Sequence, residues 1–310
     1  MKAIKDRPQA LGEGLSAIRT QFQLPGDFSA EVEAAAEAAA RKPLTDHTDR
    51  SEVPFVTLDP ISSTDLDQAF AIEQSGSDIV LRYAIADVGW FVANCDPVDA
   101  EAWRRGETIY MPDDRISLYP SVLSEGAASL LPGAPKPAII FTVRVANDGG
   151  CTLDNAERAI VRSRAKLGYA TVRAEDLPGG FAELSRRIEA AEQARGASRV
   201  DPPQQQVVEQ GDGRFSLEFR PMSAAEQANA GLSLAANLAI ADLLYRHGTG
   251  LFRVMPEPDD WAIRRLRRSA KALGVEWPKG VSLQDRQRQL DPNNPKQAAF
   301  MLAIRRSGTH

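Results

Sequence analysis

Three aspartates fall within nine residues in the run Asp59-Pro60-Ile61-Ser62-Ser63-Thr64-Asp65-Leu66-Asp67. The run lies between two segments that read as strands, Phe55 to Leu58 and Ala69 to Glu73. Asp65 and Asp67 are two positions apart, so on an extended backbone they project to the same side. Pro60 opens a loop able to bring Asp59 back beside them. Gathering like charges is unfavourable unless a cation neutralises them, and carboxylate oxygens are the hard ligands that Mg²⁺ prefers. Such an ion keeps positions open for water and a phosphate oxygen, so phosphodiester cleavage suits the cluster. The same residues also suit turns and caps, where Asp is common. A calcium-binding EF-hand loop does not fit. With Asp65 as first ligand, its glycine position is Phe70 and its closing glutamate position is Gly76.

The flanking sequence predicts strands first and helices later, the pattern of an α+β domain. Ser29 to Lys42 reads as a helix, with Ser29 as cap and Glu31 and Glu33 at its positive end. Ala69 to Glu73 and Ile79 to Ala86 read as a hairpin. Val98 to Arg105 reads as a short helix. Ile139 to Ala146 and Ala156 to Arg164 form a second hairpin closed by Asn147-Asp148-Gly149-Gly150. Further on, helices are predicted over Ala182 to Ala197, Ala224 to Arg246, Asp259 to Leu273 and Lys296 to Arg306. Val207 to Arg220 forms a hairpin around Gly211-Asp212-Gly213. The helix from Ala224 is rich in Ala and Leu and is expected to be buried.

The 310 residues carry a net charge of −5, and an acidic chain is not a polyanion binder over its whole surface. A local basic path remains open to it. Arg158, Arg162, Arg164 and Lys166 supply one, and they equally suit an ordinary solvated strand face. Cys95 and Cys151 form no disulfide framework and no zinc site, which suits a reducing cytoplasm and no disulfide-linked partner. The apolar stretches are too short to span a bilayer, so no membrane association is expected. Basic residues near Met1 lead into no apolar run, unlike a secretory signal.

An ordered series of blocks then resembles one family. Phe55-Val56-Thr57-Leu58-Asp59-Pro60 followed by Asp65-Leu66-Asp67-Gln68-Ala69 resembles the signature of the ribonuclease II and ribonuclease R catalytic domain, the RNB domain. Tyr83 to Val88, Asp99 to Ala102, Arg105 to Pro112, Leu123 to Pro132 and Ile160 to Tyr169 are similar to later blocks in the same order. Ala235-Ala236-Asn237 and Phe252-Arg253-Val254 are weaker echoes. The resemblance implies an RNB-type α+β fold of mixed, mainly antiparallel sheets surrounded by helices. It implies a helical lead-in over residues 1–50 and a partial RNB domain over 51–310.

The activity implied is metal-dependent, hydrolytic 3′→5′ degradation of single-stranded RNA, releasing nucleoside 5′-monophosphates. Asp59, Asp65 and Asp67 match residues that hold Mg²⁺, with Mn²⁺ a workable substitute, at the scissile phosphate. Gln68 stands where the family usually has a fourth catalytic aspartate. Its amide retains a carbonyl oxygen and lacks a charge, leaving the number of metals open. Tyr110, Tyr169 and Arg105 match RNA-contacting positions. A half-buried strand aromatic is the plain alternative for both tyrosines.

Other departures are Asn229 to Leu234, without the carboxylates frequent there, and Met255 where many members have histidine. The family's core also continues into an arginine-containing block that Arg305-Arg306 does not match. The expectation is therefore a partial, divergent member that is weak or inactive by itself. A non-catalytic RNA-binding protein of the same fold is the alternative. A small-molecule phosphohydrolase would use similar carboxylates but would not need stacking tyrosines. Oligomeric state is not legible.

Overall fold

The computed structural model describes residues 4–5, 10–196, 204–210, 214–220, 222–252 and 258–307. The elements, in chain order, begin with β1 (Ile4–Lys5), α1 (Ala10–Gln21), α2 (Ala30–Ala40), β2 (Thr48–Asp49) and β3 (Val56–Asp59). Next come β4 (Gln68–Ser75), β5 (Asp78–Ala86), α3 (Val88–Phe91), α4 (Pro97–Arg105), β6 (Ile109–Tyr110) and β7 (Arg115–Ile116). A π-helical turn, Val122–Ala127, precedes β8 (Lys136–Val145), β9 (Cys151–Val161), β10 (Ala165–Gly168) and α5 (Phe181–Ala194). The remainder is β11 (Gln204–Glu209), β12 (Arg214–Arg220), α6 (Ala224–Arg246), α7 (Asp260–Leu273), α8 (Leu283–Arg288) and α9 (Pro295–Ser307).

The chain forms two compact units. One comprises residues 9–191 and 223–249, the other residues 1–8, 192–222 and 250–310. The helices α1 and α2 thus belong to the same unit as the large sheet. In the second unit, β1, β12 and β11 form an antiparallel sheet in that order. Helices α7 and α9 close around Leu266, Ala270, Phe300, Met301 and Ile304. No helix among the described residues is long and apolar enough to cross a membrane. The predicted turn at Gly211 to Gly213, together with Arg253-Val254-Met255, lies outside the described residues.

The first unit is organised by a seven-stranded sheet in the order β10-β3-β4-β5-β8-β9-β2. Its interior pairs are antiparallel, and its two edges are added in parallel, β10 to β3 and β2 to β9. This is the mixed, mainly antiparallel sheet expected of an RNB-type α+β fold. The edge strands β2 and β10 were not predicted. A short parallel edge has no hairpin signal of its own and forms only when the sheet beside it exists.

Strand alternation gives the sheet two different faces. One carries Leu58, Phe70, Leu81, Tyr83 and Val143, which pack on Phe181, Leu184 and Ile188 of α5 and on Leu232, Ala235 and Ala236 of α6. The other is lined by small residues, including Ala69, Ala71, Ala84, Ala86, Ala138 and Ala159, with Phe55, Leu66 and Leu130 filling the space above them. Small side chains let loop segments lie close to this face. A third cluster joins α2 to Trp90, Phe91, Val98 and Leu123.

Helix ends follow their sequence signals. Ser29 caps α2 by accepting from the Val32 amide, Ser223 caps α6 from Glu226, and Asp259 caps α7 from Ala262. Helix α6 is less buried than its composition suggests. Asn229, Gly231, Leu232, Ala235, Ala236 and Ala239 are covered, whereas Tyr245 is exposed.

The β8–β9 turn depends on Gly149, which has φ of 80°. A Cβ there would lie 2.4 Å from the Arg187 carbonyl oxygen and 2.6 Å from the Ala191 Cβ. Both the backbone conformation and α5 packed against the turn therefore exclude a side chain. Gly149→Ala is expected to destabilise the chain by about 2–4 kcal/mol, combining left-handed strain with overpacking. A reduced urea midpoint at unchanged m-value would show it.

Candidate active site

The site begins with one buried leucine. Leu66 is 1% exposed and sits on the alanine-lined sheet face. Such burial is worth about 1.5–3 kcal/mol. Its backbone is held as well. The Leu66 amide donates to Ser129 Oγ at 3.0 Å, Ser129 Oγ donates to the Thr64 carbonyl at 2.7 Å, and the Leu130 amide donates to the Leu66 carbonyl at 2.7 Å. With Leu66 turned inward, Asp65 and Asp67 on either side of it line the site's cavity.

Asp59 reaches them from the end of β3. Its carbonyl accepts from the Tyr169 amide at 3.1 Å, and Ser63 Oγ donates to its carboxylate at 3.3 Å. The intervening loop is fastened by Lys166, whose ammonium donates to the carbonyls of Ile61, at 2.7 Å, and Ser63. Gly168 lies beneath this loop, paired with Asp59, and a Cβ there would come within 3.2 Å of the Ile61 side chain. Its lack of a side chain lets the loop close.

Asp59, Asp65 and Asp67 line one cavity of about 440 Å³, together with Ser62, Ser63, Tyr110 and Arg115. Tyr110 and Arg115 face each other across the β6–β7 hairpin. The Tyr110 ring is 73% exposed and free to meet a planar group. Arg115 donates to Asp65 at 2.7 Å and also binds Glu125. Neither Arg115 nor the two serines was singled out from the sequence. Ser62 and Ser63 could have been found as the loop between the aspartates. Arg115 lies beyond the family-like block ending at Pro112 and carries no local signal.

The remaining expected site residues lie elsewhere. Gln68 is not among the lining residues; its Oε1 accepts from the Tyr83 hydroxyl. Tyr169 stands behind Asp59, half-buried on the α6 side, where its hydroxyl oxygen accepts from Asn229 Nδ2 at 2.9 Å. Burial pushes both phenols up, to about 12. Arg105 is turned inward. It is 8% exposed, binds Glu101, the Ser117 carbonyl and the Gly26 carbonyl, and stacks on Phe28. In the basic cluster, Arg158 binds Asp87, Arg164 binds the Glu52 carbonyl, and Lys166 staples the loop. Those three cations serve internal contacts.

The site's electrostatics match its composition. Burial raises the Asp59 carboxyl above its ordinary 3.8, and repulsion from Asp67 and Asp65 adds to this against the opposing Ser63 hydrogen bond. Asp67 is raised by burial first and then by Asp65. Asp67 is open to solvent on one side, yet the concave wall removes part of its hydration. The donor chemistry fits a hard divalent cation, which would neutralise these carboxylates. The side chains are not closed into a finished cage. Among the described residues, no three carboxylate, histidine or cysteine groups are gathered tightly enough to hold an ion as they stand.

Residues 47–307 match the RNB domain. The chain belongs to the RNB family. Ribonuclease R of Escherichia coli (strain K12) is 26% identical over 294 residues, covering 87% of this chain and 36% of that relative. The fold is that of Mycoplasma genitalium RNase R in complex with ribose-methylated single-stranded RNA, with a TM-score of 0.81 at 21% identity, covering 96% of this chain and 50% of that structure. Yeast Ssd1, a pseudonuclease, is similar in fold to this chain, with a TM-score of 0.64 at 11% identity over 92% of this chain and 36% of that one. The chain thus spans about a third to a half of the length of these relatives.

Raised carboxyls give a definite pH dependence. A carboxyl whose folded pKa exceeds its unfolded value favours folding when protonated, so stability falls as pH rises through the raised value. Asp67→Asn removes that penalty. In EDTA, the variant is expected to melt above the wild type at pH 7, and the difference should vanish below the ordinary carboxyl value of 3.8. Thermal melts across that range measure it. Equal melting temperatures at pH 7 would contradict the raised Asp67 carboxyl.

Proposed function

We propose that this chain carries the carboxylates of a metal-dependent, hydrolytic 3′→5′ exoribonuclease site acting on single-stranded RNA. The observation that carries this reading is the shared cavity of Asp59, Asp65, Asp67 and Tyr110. Family membership and the exoribonuclease relatives support it. Asp59, Asp65 and Asp67 would hold Mg²⁺ or Mn²⁺, which supplies an activated water and charge neutralisation at the scissile phosphate.

The protein's own residues account for substrate choice. The exposed Tyr110 ring offers a stacking face for a terminal base, worth about 1–3 kcal/mol and indifferent to base identity. The cavity wall around Asp59 and Asp67 reduces their hydration, so they favour a neutralising partner over bulk water. Ser62 and Ser63 add neutral oxygens at the rim. Release of nucleoside 5′-monophosphates follows if water attacks the phosphorus and the 3′ oxygen departs. Tyr169 and Gln68 support the carboxylates from behind, and the inward-turned Arg105 shapes the Tyr110 segment.

A second reading, an RNA-binding protein of this fold without catalysis, draws on two observations. Gln68 lacks a charge and engages its oxygen with Tyr83, and a distant fold neighbour is a pseudonuclease. The two readings separate in one assay with 5′-labelled single-stranded RNA and Mg²⁺ or Mn²⁺. Under the enzymatic reading the RNA shortens stepwise, and Asp67→Asn lowers the rate by about a hundredfold or more. Tyr110→Ala changes the length of the final oligonucleotide or slows turnover. Retention of RNA without products would favour the binding protein. Products that persist in Asp67→Asn would reject this site.

A further inference from the structure

Arg115 is the only cation among the described residues lining the cavity, and it is held in a fork. One arm donates to Asp65 at 2.7 Å, and the other binds Glu125. Glu125 sits outside the lining and is itself fixed, accepting from Thr64 Oγ1 at 2.8 Å. The backbone of Arg115 is equally constrained. It pairs with Tyr110, the Met111 amide donates to the Asp114 carbonyl at 2.9 Å, and Arg19 of α1 grips Asp113 at the hairpin tip at 3.0 Å. The guanidinium therefore has one arm on Glu125 and the other on a carboxylate of the proposed metal site.

We propose that Arg115 is a positioning and phosphate-binding residue that exchanges Asp65 for the RNA phosphate when a divalent cation takes Asp65. This rests on the reading of Asp59, Asp65 and Asp67 as the metal site. A divalent cation draws on the same Asp65 charge that holds this guanidinium arm, so cation binding weakens the Arg115–Asp65 contact and favours release of the arm. The freed arm stays at the cavity because Glu125 retains the other, and its N–H groups can donate to a phosphate oxygen. Cation and RNA then favour each other, since each relieves the charge left unpaired by the other. By linkage the coupling is the same in both directions.

The inference separates from a packing role by its sign. Loss of packing weakens metal binding, whereas loss of a competitor strengthens it. Isothermal titration of the full 310-residue chain with Mn²⁺ alone is the test, using wild type, Arg115→Met, Arg115→Lys and Asp67→Asn. Arg115→Met is expected to bind Mn²⁺ about two- to fivefold more tightly, the range for a partly exposed ion pair. Arg115→Lys, which keeps the charge, should stay near wild type. Anisotropy with ribose-methylated single-stranded RNA should then show a smaller Mn²⁺-dependent gain in RNA affinity for Arg115→Met than for wild type.

Unchanged or weaker Mn²⁺ binding by Arg115→Met, with wild type binding and Asp67→Asn not, overturns the exchange and leaves the metal site standing. A tighter Mn²⁺ site with an undiminished RNA gain overturns the phosphate role. If neither wild type nor Arg115→Met binds Mn²⁺, or if Asp67→Asn binds as well as wild type, the metal-site reading fails and the exchange fails with it.

Discussion

Burial of Leu66 is the constraint on which the site depends. The residue is the inward member of a three-residue alternation whose outward members are Asp65 and Asp67. The alanine face of the sheet leaves room for it, and Ser129 and Leu130 hold its backbone on both sides. Hydrophobic burial at one position thus forces two carboxylates together against their mutual repulsion. The Asp59 and Asp67 carboxyls are raised chiefly by burial in this cavity, and repulsion from neighbouring aspartates adds to it. Carboxylates partly stripped of water in a concave site are prepared for a cation.

The opposite face of the sheet supports the same site by different means. Beneath Asp59 and β4, Asn229 of α6 donates to Tyr169 and to the Leu58 carbonyl, while Tyr83 donates to Gln68. These groups are neutral. A neutral polar layer can satisfy buried hydrogen bonds without the desolvation penalty of further buried charge. The absence of carboxylates from Asn229 to Leu234, and the amide at Gln68, belong to one consistent arrangement. They place the negative charge of the site in the loop and at the strand end.

Much of the scaffold was legible because its signals are local. The Ser29 cap and the Asn147 to Gly150 turn each act within a few residues, and α2 and α7 were read close to their observed limits, whereas the strand read over Ala156 to Arg164 runs from Cys151 to Val161. The convergence of the aspartates was legible for a similar reason, since strand parity and a short loop leave few alternatives. Arg105 shows where such reasoning ends. It opens a family-like block, yet its guanidinium turns inward, to Glu101 one turn earlier in α4 and to Gly26 and Phe28, which only packing brings near.

The sequence by itself determined the order of strands and helices, the spacing of Asp59, Asp65 and Asp67, and the likeness to the RNB family. These rest on backbone periodicity and on chemistry shared by neighbours in the chain. Tertiary structure alone decided which cation meets the carboxylates, which tyrosine faces the cavity and where the Gln68 oxygen is engaged. Arg115 is fifty positions from Asp65 and meets it only because the β6–β7 hairpin is held over the loop. Contacts of that kind depend on the relative placement of whole elements. Such placement is fixed by burying their apolar faces together, and no local pattern encodes it.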